Sequence, residues 1–445
     1  MADVEAASKF LSTNGIRTVI AAGVDQVGAL RGKRFTPAAF LASAERGFHM
    51  PWSILRTGTM DEAAPGVLEG GVPDAKAIPD LSTLRLAPWE KDAAIVLMDW
   101  HWADGSPCPL CPRALLRRQV GRARELGLEE RFALELEFFL LPTPVDAIRR
   151  GGWSNVAAGQ EDVHCYSIYE GHFSEAFFSR VRECFGDAIE GGGPEWGRGQ
   201  FEINLRARGA LEMADTAVVF KTAVKQIAAQ LGLSATFMAK WHENHTGSSG
   251  HIHQSFQSVK TGKSAFYDEA APWKMSELFR QYTAGQLEAL LPATLFFAPF
   301  VNSYKRFRLD SLAGVTRSWG IDNRTVSLRV LNSSPAACRL ENRVGGADLN
   351  PYLAFSACLG AGLRGVAKKL ELSPPAEGNA YHLKDAARVP RNLAEAIEAA
   401  DQSPLVREIL PADVVDNLLI ISRMELGVFD SMVTDLERRR YFEMA

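Results

Sequence analysis

Five glutamates and a histidine recur in short, Gly-bounded pieces of the chain. Glu135 and Glu137 lie in LELEFF, Glu195 and Glu202 in EWGRGQFE, His251 in GSSGHIHQS and Glu341 in RLENR. Carboxylates crowded together repel, so they stay ionised in one place only beside cations. A donor set that is nearly all carboxylate suits a hard ion, Mg2+ or Mn2+, and not Zn2+. This many ligands would serve two ions. Such a pair is suited to holding nucleotide phosphates and neutralising charge as a phosphoryl group moves. Arg306, Arg324, Arg329, Arg339 and Arg343 follow downstream; their planar forks match carboxylate and phosphate oxygens. There is no GxxxxGK[ST] loop, so a nucleotide would not be held in P-loop fashion. Each piece alone has a bland reading: two glutamates on a solvated strand edge, a surface His-x-His pair, a ladder of cross-strand ion pairs. Together, flanked by Gly-rich turns, they favour a site.

Alternation dictates which elements carry them. Segment 132–141 puts Glu135 and Glu137 on one face and Leu134, Leu136 and Phe138 on the other. Segment 200–205 sets Gln200, Glu202 and Asn204 against Phe201, Ile203 and Leu205. Segment 249–256 groups Ser249, His251, His253 and Ser255; segment 325–330 groups Thr325, Ser327 and Arg329; segment 338–343 groups Arg339, Glu341 and Arg343. These read as five strands of an antiparallel sheet, apolar on one side and polar on the other. Helices are expected at 210–231, 350–370 and 404–424. Upstream, a helix at 4–14, strands at 17–25 and 93–99 and a helix at 37–47 read as a smaller α/β unit. The Pro-rich SPCPLCPR at 106–113 marks the boundary. The chain of 445 residues is therefore divided into domains 1–105 and 106–445. Cys108 and Cys111 form a single CxxC with no second pair nearby, which reads as packing.

Several function classes are excluded. A net charge of −4 leaves no footprint for nucleic acid or an anionic membrane. The longest apolar stretch is broken by Pro292 and Pro299, so no membrane span is expected. The N-terminus lacks a signal pattern, and six irregularly spaced cysteines fit a reduced compartment, so a cytoplasmic location is expected.

At this point the sequence resembles the glutamine synthetase superfamily, type I-like, over nearly its whole length. The pieces run in the family's order: LELEFF, EWGRGQFE, FMAK, GSSGHIHQS, NSYKRF, WGIDNRT, RLENR and NPYLAFSACLGAGLRG. The resemblance implies an α+β fold: a small N-terminal β-grasp domain, then a large catalytic domain of curved antiparallel sheet flanked by helices. It implies a homo-oligomeric ring, commonly a dodecamer, with sites between subunits. It implies a two-step reaction, in which ATP phosphorylates the side-chain carboxylate of L-glutamate and an amine displaces phosphate. Carried over by residue, Glu137, Glu195 and Glu202 match the ligands of one Mg2+ or Mn2+, and Glu135, His251 and Glu341 those of another. Gly247, Arg306 and Arg343 match glutamate-binding positions. Arg324 and Arg329 match the arginines that stabilise the moving phosphoryl group. His253, Ser255 and Arg339 match nucleotide contacts, and Asp25 matches an aspartate lent to a neighbouring subunit's amine site.

The departures cluster on the amine side. Ammonia-using members carry a flap glutamate six residues after the NSYKR arginine; here Leu312 stands there. Thr246 replaces the Asn before the glycine, and Trp241 replaces a proline after FMAK. Losing a carboxylate for Leu312 removes a partner for ammonium and adds apolar surface. The expected activity is thus ligation of an organic amine, such as aniline or a small alkylamine, to the γ-carboxylate of L-glutamate. Ammonia, with Asp310 in the missing glutamate's role, and polyamines such as putrescine stay open as nucleophiles, as does a non-enzymatic nitrogen sensor.

Overall fold

The structure is a computed structural model that describes residues 3–153, 156–159, 162 and 164–444. Its N-terminal part opens with a helix, Val4–Thr13, capped by the Asp3 side chain. A six-stranded sheet follows: β1 (Thr18–Val24), β2 (Leu30–Phe35), β3 (Phe48–Pro51), β4 (Asp74–Pro79), β5 (Arg85–Leu86) and β6 (Ala93–His101). The order is β2-β1-β6-β4-β3, with β5 also on β6; β1 and β6 run parallel and the other pairs antiparallel. The helix expected at 37–47 is the shorter Pro37–Ser43, started by Thr36 and Pro37.

The larger sheet contains β7 (Leu128–Leu141), β8 (Ile189–Pro194), β9 (Gln200–Arg208), β10 (Ser234–Thr236), β11 (Gly250–Ser258), β12 (Trp319–Ile321), β13 (Leu328–Leu331) and β14 (Arg339–Asn342). Its order is β12-β13-β14-β11-β7-β9-β8, with β10 also on β7. All pairs are antiparallel except β12 with β13. Helices Ala210–Gln230 and Pro351–Lys368 pack on its apolar side, where one face of each strand would otherwise stay in water.

Strand β6 explains how the two parts join. Ala94, Val96, Met98 and Trp100 enter the N-terminal core, while Ile95 and Leu97 enter the core beneath the larger sheet. A strand buried on both faces needs a continuous apolar run, and AAIVLM supplies one. Cys108, Leu110 and Cys111 also pack into the N-terminal core, so it reaches a little past residue 105. Burial pushes the Cys108 and Cys111 thiols up to about 11 and about 12, which leaves both protonated and inert. Beside them buried Arg113 pairs with Asp80, Asp99 and Asp215, tying the N-terminal sheet to helix Ala210–Gln230.

Three expectations are corrected. The helix at 404–424 is two, Pro404–Ile409 and Ala412–Ser431, because Pro411 lacks an N–H and obstructs the preceding turn. The strand at 325–330 begins only at Leu328. Before it, Thr325 N–H and hydroxyl both donate to Asn323 Oδ1, a local turn that competes with strand pairing. The strand at 249–256 starts at Gly250, leaving Ser249 in an isolated bridge with Gly346. No helix among the described residues is long and apolar enough to cross a membrane.

Candidate active site

Strand register assembles the site. His251 on β11 lies opposite Glu135 on β7, which lies opposite Asn204 on β9. Glu137 lies opposite Glu202, and Glu341 on β14 opposite both His253 and Arg329. Directly paired residues share a face, so the polar faces of these strands merge into one floor. A cleft of about 380 Å3 opens over it, lined by all the expected metal ligands except Glu341, and by Gly247, Arg324, Arg343 and Leu312.

Within the floor, ligand atoms of Glu135, His251 and Glu341 come within 4.8 Å of one another, and so do those of Glu135, Glu137 and Glu202. Glu135 thus belongs to both groups. Glu195 lines the same cleft, its carboxylate held by the Trp196 N–H and the Tyr166 phenol. His251 Nδ1 lies 2.8 Å from Glu135 Oε1, while its Nε2 is buried without a partner. Burial, then the charge of Glu195, pushes Glu137 up to about 8; burial, then Glu135, pushes Glu202 up to about 9. Against the cost of burial, His251, His253 and Arg343 bring Glu341 down to about 2. Oxygen donors with one imidazole, repelling one another and leaving a buried nitrogen unpaired, fit hard divalent cations.

The arginines divide into two groups. Arg329 and Arg343 are buried and pair with Glu341, and Arg329 also with Asp322. Buried Arg306 donates to Ser249 Oγ and the Val344 carbonyl. The Nε atoms of Arg306 and Arg343 are buried and unpartnered, so each keeps an unused donor. Gly247 packs directly on Arg306; a Cβ there would collide with Arg306 Cγ. Arg324 stands exposed on the cleft wall. His253 and Arg339 meet at 3.3 Å, and Ser255 follows further along β11, continuing the polar face away from the cleft.

Asp25 is not brought to this cleft. It sits in the β1–β2 turn, almost fully buried, accepting from the Val27 and Ala29 N–H groups and from Arg31. Leu312 does reach the cleft, 39% exposed and in a left-handed conformation (φ 57°), its carbonyl accepting from Arg343. Asp310 (φ 58°) and Ser311 line it too.

Six lining residues were given no role from the sequence: Gln200, Thr246, Ser249, Ser311, Tyr166 and Trp196. Gln200 shares the polar face of Glu202, so alternation already pointed to it. Trp196, 60% exposed, follows Glu195 directly. Tyr166 comes from a segment with no periodic pattern and had no signal.

The family model described as "Glutamine synthetase, catalytic domain" matches residues 109–441. The type-1 glutamine synthetase 2 of Dictyostelium discoideum is 38% identical over 95% of this chain and 83% of its own length. The glutamate–isopropylamine ligase of a Pseudomonas species is 36% identical over 98% of this chain and 97% of its own. The gamma-glutamylethanolamide synthetase GlnA4 of Streptomyces coelicolor is 37% identical over 99% and 96%. With the carboxylate floor and its arginines in place, the chain belongs to the glutamine synthetase family of ATP-dependent carbon–nitrogen ligases.

Proposed function

We propose that this protein joins an organic amine with an apolar part to the γ-carboxylate of L-glutamate, using ATP and passing through γ-glutamyl phosphate. The observation that carries this reading is Leu312 on the cleft wall, where ammonia-using relatives are expected to place a glutamate. One similar chain is named for ligating isopropylamine and another for making gamma-glutamylethanolamide, which supports an amine larger than ammonia.

In this reading Arg306, Arg343 and the Gly247 turn hold L-glutamate with its γ-carboxylate toward the floor. The Glu137–Glu195–Glu202 and Glu135–His251–Glu341 sets hold Mg2+ or Mn2+, which neutralise phosphate charge when bound. His253, Ser255 and Arg339 hold the nucleotide. A γ-carboxylate oxygen attacks the terminal phosphorus of ATP and ADP leaves; Arg324 and Arg329 stabilise the equatorial oxygens during transfer. The amine nitrogen then attacks the acyl carbon, phosphate leaves, and the amide nitrogen gives up a proton. Against Leu312, an apolar substituent gains about 25 cal/mol for each Å2 it buries. Aniline suits such a wall because it is already neutral near pH 7 and needs no acid-bearing flap to take its proton before attack. A ring of copies, with Asp25 of one serving the cleft of the next, belongs to the same reading.

Asp310 favours a second reading. It is an acid on the same loop and lines the same cleft, so it would suit ammonium or a polyamine. Phosphate release from ATP, Mg2+ and L-glutamate, with product masses, distinguishes the two. The panel is ammonium, methylamine, isopropylamine, ethanolamine, putrescine and aniline. Isopropylamine or aniline is expected to exceed ammonium in kcat/KM. Ammonium as the best nucleophile makes this a glutamine synthetase; putrescine as the best assigns the cleft to Asp310.

A further inference from the structure

We infer that Gln200 is a positioning residue that couples the carboxylate floor to the glutamate pocket. Its side chain is 2% exposed and every polar group on it is used. Nε2 donates to Glu137 Oε2 at 3.0 Å and to the Gly247 carbonyl at 2.9 Å, and Oε1 accepts from the Thr246 hydroxyl. The reverse amide orientation would aim Oε1 at two acceptors, so only one orientation is stable. The loop closes the circuit from its other end. Ser249 N–H donates to the same Glu137 oxygen at 2.7 Å, and Ser249 Oγ accepts from Arg306.

One amide therefore fixes a floor carboxylate and the backbone turn against which Arg306 packs. Moving the Gly247 turn pulls on Glu137 through Gln200, and drawing Glu137 toward a cation pulls on the turn. A rigid link between two sites makes each ligand change the other's affinity by the same factor. Gln200 touches neither reacting atom; its contribution is positional. This rests on the reading above of Gly247 as part of the glutamate pocket.

Calorimetric titration of Mn2+ and of L-glutamate, each alone and with the other saturating, tests the coupling in the unaltered protein, Gln200→Ala and Thr246→Val. In the unaltered protein each ligand is expected to tighten the other. In Gln200→Ala each ligand alone weakens roughly tenfold, the size of one buried hydrogen bond, and the mutual enhancement falls to about one. Thr246→Val keeps both ligands but reduces the enhancement, because it leaves Gln200 Oε1 without its donor. If Gln200→Ala does not fold, Thr246→Val carries the test. An unchanged enhancement in a folded variant, or none in the unaltered protein, overturns the proposal alone. Failure of the unaltered protein to bind L-glutamate at all removes the site reading and this proposal together.

Discussion

Two clusters of buried charge sit in this molecule, and they differ in completeness. At the junction between the sheets, Arg113 spends its guanidinium on Asp215, Asp99 and Asp80, and Tyr352 donates its hydroxyl to Asp215. Neither Arg113 nor Asp215 is left with an unpaired buried atom among the described residues. In the cleft, a comparable density of charge leaves His251 Nε2, Arg306 Nε and Arg343 Nε unpaired, and holds Glu137 and Glu202 where they resist ionisation. A closed network stabilises one arrangement of the protein; an open one retains donors and acceptors for something else. The difference separates a structural ion cluster from a candidate binding site without reference to position in the fold.

The sharpest way to break this comparison is Arg324→Ala. Arg324 is exposed and makes no ion pair among the described residues, so the melting temperature should not move. Turnover should fall about a thousandfold or more, as for arginines that stabilise a transferring phosphoryl group. Steady-state kinetics beside a thermal melt checks both halves, and retained turnover would remove Arg324 from the site. Arg113→Ala should do the reverse. It leaves buried Asp215 without an ion-pair partner among the described residues, while Asp99 and Asp80 keep Arg117, and breaking a buried pair costs about 3–5 kcal/mol, read as a lower denaturation midpoint. The molecules that stay folded should keep their KM for L-glutamate; a raised KM would show that the closed network reaches the site.

Lys221 lies between these extremes and gives the smallest effect. Its ammonium donates to the Leu349 carbonyl and stands over the Phe237 ring. Burial, then the charge of Lys225, pushes it down to about 7 from an ordinary 10.5. Between those values the unfolded chain holds a proton that the folded chain has released, so stability should rise with pH across that window. Lys221→Met should flatten the rise in melting temperature from pH 7 to pH 10. An identical slope in the variant would show that another group sets it.

Much of the floor was legible because strand alternation has period two, and β7, β9, β11 and β14 keep that period through every expected ligand they carry. What escaped did so for local reasons. Pro411 divided a helix whose apolar pattern continued past it. Asn323 captured Thr325 in a turn and shortened β13. Glu135 joined Glu137 and Glu202 as well as His251 because register, which a single strand does not encode, set its neighbours. Tyr166 arrived from a segment with no periodicity at all.

The sequence by itself determined the family, the faces of the site strands and the chemistry of the floor, because those depend on residue type and on spacing along one element. Only the tertiary structure decided which carboxylates come within reach of one another, which arginine atoms remain unpaired, and that Leu312 and Asp310 meet the same cleft. Those outcomes depend on distances between segments far apart in the chain, set by strand register and by how the loops between strands close over the sheet.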